Sequence, residues 1–555
     1  MKTRRSFSTL HNAILVLTVV TGTAMGSFAQ NPPGKRTVPA PTPTPTPVTK
    51  PAPAATPTPS PTPTPAPVQT IADLRTRITN RLARPELRRG QIGIKIATLN
   101  SEKLVFEENA EKYFMPASNM KNFTVAAGIE KLGPDYRYVT SVFAPAAPDA
   151  AGTVKGDLRI YGRGDVSIST SFSEGNYFKG LDDLAAKIAA AGVKRVEGDL
   201  VGDDTYFRGG AIPGSWEWDD LQWYYGAEVS ALPINDNAVD LTVRPGPAGY
   251  GCSVDLSPLN PVFRVVNRCM TTPAGTMRTL KIEKLLGQNV LEITGNLPVG
   301  NSGFKGYVTV TRPAELFVSL LRSRLEQKGI TITGRTRVID GSAAACAGCP
   351  PPVEIAKLES APFSLISAKT MKPSQNMYTE TILRTLGEEI GRKRTMVTSG
   401  NGASPAVEKS SHDLGVAVVE NFLTQIGIPD DAVIQHDGSG LSRHDLITPA
   451  AVVRLYTYMG RESKYSQAWR DSLTIAGVDG TLRNRLAGTA AAGNVRGKTG
   501  TIDQVSALSG YLTTAGGEQL VFSLIVNGVP EGRMRTGVID DIVLYLVNFN
   551  GRIDQ

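Results

Sequence analysis

Three short motifs, and the distances between them, limit what this chain can fold into. Ser118-Asn119-Met120-Lys121 comes first, Ser374-Gln375-Asn376 second and Lys498-Thr499-Gly500 third. The serines that open the first two motifs are 256 residues apart, which is too far for a loop within one compact domain. If the motifs meet in one site, the chain must therefore leave its first domain, build an inserted one and return.

The first motif has the residue types and the spacing of an activated serine nucleophile. At a helix start, Ser118 and Lys121 lie one turn apart on the same face. A buried lysine with a lowered pKa can take the proton of a serine hydroxyl. The flanks at 114–117 and 122–124 favour a buried turn over the alternative, a surface helix turn. The pattern recurs by chance at 302–305, so the flanks matter to the interpretation.

The second motif places two polar side chains two residues apart in a short loop before a helical pattern. Ser374 can relay a proton to a leaving amine, and the Asn376 amide can hold a substrate carbonyl. The same spacing at 399–401 lies in a glycine-rich context without an apolar helix, which predicts a loop.

The third motif precedes strand-like residues. Lys498 supplies positive charge, the hydroxyls of Thr499 and Thr501 can bind a carboxylate, and Gly500 lets a substrate approach an edge strand. The alternative is an ordinary polar turn before a strand. A phosphate-binding loop is excluded, because its first glycine would fall at Ala492 and no helical pattern follows.

The positive net charge of the chain does not indicate a nucleic-acid partner. The formal charge is +8, but residues 1–67 carry six Lys and Arg and no Asp or Glu, so the remainder is nearly neutral. We expect no nucleic-acid partner, no metal and no cofactor.

The N-terminal sequence predicts export. Residues 1–29 combine a basic start, an apolar stretch and small residues before Gln30, as a signal peptide does. The sequence at 3–7 fits a twin-arginine export signal and an ordinary basic start of a signal peptide equally well. Residues 30–68 form a Pro/Thr/Ala-rich linker that cannot pack a core. The expected location is periplasmic or otherwise extracytoplasmic, with peripheral membrane or wall association open.

The cysteines fit an oxidising compartment. Cys252 and Cys269 form one local pair, and Cys346 and Cys349 form another. Export favours disulfides within each pair over thiols or zinc.

Apolar periodicity predicts a helix that stops before Pro85, a hairpin at 91–99 and 104–107, strands at 505–513 and 519–526 and a closing helix at 538–547. A helix, a glycine and a strand follow one another at 181–200 and again at 313–338. Together these patterns predict a mixed α/β (α+β) fold in several parts. We expect a discontinuous catalytic domain at 69–138 and 313–555, interrupted by largely β inserted domains at 139–312. An aromatic run at 216–225 is either a platform for wall glycan or peptide, or interdomain packing.

Together the motifs resemble those of penicillin-binding proteins and β-lactamases. The stretches at 116–121, 229–237, 437–442 and 480–511 further resemble the D-alanyl-D-alanine carboxypeptidase/endopeptidase branch of low-molecular-mass penicillin-binding proteins. That branch carries a large insertion between the first two motifs. Gln375 departs from the Asp of many relatives, but neither role assigned to the motif needs the middle side chain.

The resemblance implies a catalytic domain with an antiparallel sheet flanked by helices. It also implies that Ser118 is acylated by peptidoglycan stem peptides and by β-lactam inhibitors, with the backbone N–H groups of Ser118 and Thr501 as the oxyanion hole. Thr499 and Thr501 would hold the terminal carboxylate. The competing hypotheses are a β-lactamase-like hydrolase and a non-catalytic wall-binding homologue.

Overall fold

A computed structural model describes residues 67–340, 351–393 and 409–553. Within these residues the chain forms both helices and strands. Its α-helices are α1 (Ile71–Leu82), α2 (Lys121–Leu132), α3 (Lys179–Ala190), α4 (Pro313–Gln327), α5 (Phe363–Met371), α6 (Asn376–Leu386), α7 (Ser411–Gln425), α8 (Pro449–Thr457), α9 (Ser466–Ser472) and α10 (Gly532–Val547). Its strands are β1 (Gln91–Thr98), β2 (Leu104–Glu108), β3 (Val139–Ala144), β4 (Thr153–Val154), β5 (Leu158–Tyr161), β6 (Arg195–Val196), β7 (Leu200–Asp203), β8 (Ala238–Arg244), β9 (Ser253–Ser257), β10 (Arg264–Asn267), β11 (Met270–Thr272), β12 (Lys281–Lys284), β13 (Val290–Thr294), β14 (Asn296–Pro298), β15 (Phe304–Thr309), β16 (Thr331–Ile332), β17 (Thr336–Ile339), β18 (Val353–Glu359), β19 (Val433–Ile434), β20 (Leu446–Ile447), β21 (Thr474–Ile475), β22 (Arg496–Ile502), β23 (Val505–Thr513) and β24 (Gln519–Asn527).

A six-stranded antiparallel sheet in the order β2-β1-β24-β23-β22-β21 joins the two ends of the described chain. Side chains alternate across it, so that along β23 Ala507 and Tyr511 enter one core while Leu508 and Leu512 enter the other. Helices α1 and α10 cover the second face, and α2 and α5 to α9 cover the first. The predicted antiparallel sheet flanked by helices is confirmed.

Local signals place the first elements where the sequence predicted them. Thr70 and Asp73 form a capping box at the start of α1, with Thr70 Oγ1 accepting from the Asp73 N–H at 3.1 Å and Asp73 Oδ2 accepting from the Thr70 N–H at 3.0 Å. The helix ends before Pro85, and β1 and β2 form the expected hairpin.

The inserted region contains a five-stranded sheet in the order β17-β7-β5-β3-β18, with α3 and α4 packed on it. Strands β5, β7 and β17 run parallel, as expected when helices connect them. The two helix-glycine-strand segments noted in the sequence are α3 with β7 and α4 with β17. A charged contact links the helices, since Arg324 Nε donates to Asp182 Oδ1 at 2.6 Å.

The packing of α4 bears on the domain boundary expected at residue 313. Helix α4 places Leu316, Phe317 and Leu321 in the inserted core with no exposed surface, and β17 and β18 complete the sheet of that region. The apolar face of α4 could have covered either domain, so the sequence did not fix its partner. We therefore propose that the catalytic domain resumes near residue 360. The inserted region is also less exclusively β than expected, because it includes α3 and α4.

A smaller all-β unit lies within the insertion and spans β8 to β15. Its core includes the Cys252–Cys269 disulfide, one of the two predicted pairs. The other predicted pair, Cys346 and Cys349, lies outside the described residues, as do the predicted signal peptide and nearly all of the predicted linker. Within the described residues, no helix has the length and apolarity needed to cross a membrane.

The proposed boundary makes a prediction about excised fragments. Residues 139–359, produced alone under oxidising conditions, are expected to unfold in one cooperative urea transition followed by circular dichroism. Residues 139–312 are expected to lack that transition, because removing α4 and the strands after it strips a buried face from the sheet. Equal stability of the two fragments would contradict the boundary near 360.

Candidate active site

The first motif folds as a single 3₁₀ turn, Ala117–Met120, that leads directly into α2. Residues three apart eclipse one another in a 3₁₀ turn, so the Ser118 and Lys121 side chains lie together. Lys121 Nζ donates to Ser118 Oγ at 3.0 Å. Ala117, immediately before the serine, has a left-handed φ of 46°, which a non-glycine residue adopts only when its surroundings enforce it.

Lys121 is fully buried, whereas Ser118 is partly exposed. Burial disfavours the ammonium form and lowers the pKa of Lys121 to about 7, although the charges of Asp437, Glu380 and Asp445 act to raise it. A large fraction of the amine is therefore unprotonated near neutral pH. The pair has the arrangement of a serine nucleophile and its base.

Asn376 of the second motif connects the base to the inserted region. Its Oδ1 accepts from Lys121 Nζ at 2.6 Å, and its Nδ2 donates to the Tyr225 carbonyl at 2.9 Å. Both ends of the amide are engaged, which fixes its orientation. Asn376 is 7% exposed and begins α6, so the helix start carries it into the site.

Ser374 of the second motif is hydrogen-bonded to the third motif. Lys498 Nζ donates to Ser374 Oγ at 2.8 Å and to the Thr499 carbonyl at 2.9 Å. Burial and the charge of Lys121 lower the pKa of Lys498 well below its ordinary value. Ser374 has a left-handed φ of 67°, which turns its hydroxyl toward β22 rather than along the following helix.

Gly500 has a packing role in addition to the predicted approach of a substrate. A Cβ atom at this position would lie 2.5 Å from the Pro116 carbonyl oxygen, so the glycine lets β22 approach the turn that carries Ser118. Asn119 joins the same two segments, because its Nδ2 donates to the Lys498 carbonyl at 3.1 Å and its Oδ1 accepts from Ser509 Oγ at 2.7 Å. Thr499 is nearly buried and Thr501 is exposed on the same strand.

Several groups at the site were not predicted. Besides Asn376, Lys121 donates to the Ser439 carbonyl at 2.7 Å. Thr481 Oγ1 lies 2.7 Å from Thr499 Oγ1. The Tyr225 carbonyl comes from the aromatic run, of which Trp216 is buried and Trp218 is 75% exposed. Backbone carbonyls leave no residue-type signal, although the glycine- and serine-rich stretch at 437–442 was conspicuous.

One of the two chance repeats of the motif patterns lies in a different part of the fold from the site. Residues 302–305 lie at the turn that opens β15, in the small all-β unit rather than at a helix start. Residues 399–401 lie outside the described residues. The geometry thus joins Ser118, Lys121 and Asn376 in one hydrogen-bonded group and Ser374 and Lys498 in another, and the two are close enough for the charge of Lys121 to act on Lys498.

Comparison with known proteins matches most of the chain to one peptidase family. A model of the D-Ala-D-Ala carboxypeptidase 3 (S13) family matches residues 74–548. A D-alanyl-D-alanine carboxypeptidase of Actinomadura sp. (strain R39) is 34% identical over 492 residues, which cover 87% of this chain and 86% of that protein. A penicillin-sensitive carboxypeptidase A of Dictyostelium discoideum is 28% identical and covers 80% of this chain and 84% of its own length.

The fold is similar to that of penicillin binding protein 4 from Haemophilus influenzae. Its crystal structure superposes with a TM-score of 0.70 at 22% identity, covering 84% of this chain and 98% of that one. With 475 of its residues matched by the family model and a relative at 34% identity over most of its length, the chain belongs to the D-Ala-D-Ala carboxypeptidase 3 (S13) family.

Proposed function

We propose that the protein is a serine-type D-Ala-D-Ala carboxypeptidase that acts on peptidoglycan stem peptides through an acyl-enzyme on Ser118. One observation carries the proposal: the buried amine of Lys121 lies 3.0 Å from the Ser118 hydroxyl, with a pKa lowered by burial to about 7. Family membership and the names of the relatives support the substrate class.

Acylation begins when Ser118 Oγ attacks the carbonyl between the two D-alanines and its proton passes to Lys121. Asn376 and the Ser439 carbonyl hold the amine in place during this transfer. The backbone N–H groups of Ser118 and Thr501 stabilise the oxyanion, as the resemblance implies.

Collapse of the tetrahedral intermediate releases D-alanine. Ser374, which bonds to Lys498, relays a proton to the departing amine. Lys498, Thr499 and Thr501 bind the terminal carboxylate, and the presence of that anion favours the ammonium form of Lys498. Water then hydrolyses the ester on Ser118. An endopeptidase reaction on cross-linked peptides would differ only in the leaving amine.

β-Lactams are expected to acylate the same serine, because their strained amide takes the place of the D-Ala-D-Ala bond. One relative is called penicillin-sensitive, and penicillin binding protein 4 from Haemophilus influenzae has been solved with a β-lactam. Fast release, as in a β-lactamase, needs a carboxylate that activates water. The acids that act on Lys121, namely Glu380, Asp437 and Asp445, are fully buried, so they are not available to a water in the cleft.

We also propose that the protein is exported and works outside the cytoplasm. The N-terminal sequence supports this location. The Cys252–Cys269 disulfide does so independently, because disulfides persist in oxidising compartments. The linker at 30–68 would then separate the catalytic body from the point where the N-terminus is held, which allows peripheral association with membrane or wall.

Substitution of the nucleophile and the base tests the reaction. Ser118→Ala is expected to lower kcat for D-alanine release by at least ~10⁴-fold, because no hydroxyl remains to form the ester. Lys121→Ala is expected to lower kcat by about 10²- to 10⁴-fold, because the proton acceptor is lost. A D-amino-acid oxidase assay on an N-acylated peptide ending in D-Ala-D-Ala measures both.

Ser302→Ala is the matched control, since it alters the serine of the chance S-x-x-K repeat and is expected to leave kcat unchanged. Normal activity in Ser118→Ala would refute the assignment. Rapid penicillin hydrolysis by the wild-type protein without D-alanine release would indicate a β-lactamase instead, and binding of wall peptides without either reaction would indicate a non-catalytic homologue.

The pH dependence of acylation follows from the lowered pKa of Lys121. Below that pKa the ammonium form has no lone pair to accept the Ser118 proton, and above it the amine is free. The acylation rate with a chromogenic β-lactam, followed from about pH 5 to about pH 9, is therefore expected to rise through about pH 7. A rate that falls as the pH rises through this window would contradict Lys121 as the base.

A further inference from the structure

Asp437 is a fully buried carboxylate that makes an unusually large number of hydrogen bonds. Its Oδ1 accepts from the N–H groups of Ser439 at 3.0 Å and Gly440 at 2.6 Å. Its Oδ2 accepts from the N–H groups of Leu441 at 3.0 Å and Ser442 at 2.8 Å. Four successive backbone groups of one loop therefore point at a single side chain, which sets the conformation of that loop.

The loop at 437–442 contacts the base Lys121 and the turn that carries the nucleophile Ser118. The Ser439 carbonyl accepts from Lys121 Nζ at 2.7 Å. Gly440 has a φ of 80°, and a Cβ atom there would lie 1.8 Å from the Ala117 carbonyl oxygen, next to Ser118. The backbone that Asp437 organises is thus packed against the catalytic turn, without room for a side chain.

Two further groups fix Asp437. Trp216, from the inserted region, donates its indole N–H to Asp437 Oδ2 at 2.8 Å. Asp445 accepts from the Asp437 backbone N–H at 3.2 Å, and its carboxyl also faces that of Asp437. Burial and the Asp437 charge raise the pKa of Asp445 well above its ordinary value.

Asp437 remains ionised. Burial acts to raise its pKa, but hydrogen bonds from Asp445, from the loop N–H groups and from Trp216 outweigh that effect and hold the pKa below its ordinary value. The negative charge also acts on Lys121, together with Glu380 and Asp445, while Lys498 opposes them from β22. His412 faces Asp437 from α7.

We infer that Asp437 is a positioning residue of the proposed acylation reaction: its carboxylate fixes the loop whose Ser439 carbonyl aligns the Lys121 amine with Ser118. The inference rests on the proposed function. Trp216 connects the inserted region to this loop, because its indole N–H donates to the Asp437 carboxylate that orients Lys121.

Asp437→Asn tests both the geometry and the charge. The amide nitrogen cannot accept the N–H groups that Oδ2 accepts, so the loop and the Ser439 carbonyl are expected to shift. The second-order rate of acylation by a chromogenic β-lactam is expected to fall by ~10²-fold, the scale of a small misplacement of a catalytic group. Asp165→Asn is the matched control, because Asp165 is also buried and holds the Ser167 N–H and hydroxyl, away from Lys121.

The effect of the Asp437 charge on Lys121 is measured in a Glu380→Gln Asp445→Asn background. Burial and the Asp437 charge raise the pKa of Glu380 to about 7 and that of Asp445 well above its ordinary value, so both would ionise more readily once Asp437 is neutral and would mask the effect. With both substitutions present, adding Asp437→Asn is expected to move the acid limb of the pH–rate profile of acylation by about one pH unit toward lower pH, because a nearby negative charge that favours the ammonium form of Lys121 is gone. A purely structural defect would lower the acylation rate without changing the pH at which that rate rises.

Trp216→Phe keeps the inference testable if Asp437→Asn does not fold. It removes one donor to Asp437 and keeps the aromatic ring, and a roughly 10-fold lower acylation rate is expected at an unchanged unfolding midpoint. Failure of the wild-type protein to acylate Ser118 would refute the proposed function itself. With wild-type acylation established, an unchanged rate and an unmoved acid limb in folded Asp437→Asn, or an unchanged rate in Trp216→Phe, would overturn the inference.

Discussion

The site depends on the burial of two lysine amines in one cleft. Lys121 and Lys498 are each fully enclosed, and an unpaired ammonium group in such a place is costly. Lowered pKa values reduce that cost, and hydrogen bonds to carbonyl and hydroxyl oxygens reduce it further. Each motif supplies some of these acceptors, namely Ser118 in the first, Ser374 and Asn376 in the second and the Thr499 carbonyl in the third.

The inserted region also contributes contacts that hold the hydrogen-bond partners of Lys121 in place. The Tyr225 carbonyl fixes the Asn376 amide, and the Trp216 indole fixes the Asp437 carboxylate. Both contacts reach Lys121 through one intermediate, Asn376 in the first case and the loop that carries the Ser439 carbonyl in the second. The segment between the first two motifs thus takes part in building the site.

Sequence patterns predicted the elements whose signals are local. The capped helix α1, the β1–β2 hairpin, strands β23 and β24 and the closing helix α10 were all visible in the apolar periodicity. The motif residues were predicted by residue type and spacing. Partners chosen by tertiary packing were not predictable: α4 could have covered either domain, and the carbonyls of Tyr225 and Ser439 are backbone atoms that any residue possesses. The packing role of Gly500 was not predictable, because the neighbouring Pro116 carbonyl is distant in sequence.

The central claim is that the environment of Lys121 makes Ser118, among all the serines of the chain, the reactive one. The most direct measurement is the mass of the intact protein after exposure to benzylpenicillin, followed by proteolysis and mapping of the modified peptide. The predicted result is one penicilloyl group per chain, located on Ser118 and absent from Ser118→Ala. An adduct on a different residue, or a folded wild-type protein that acquires none, would contradict the account.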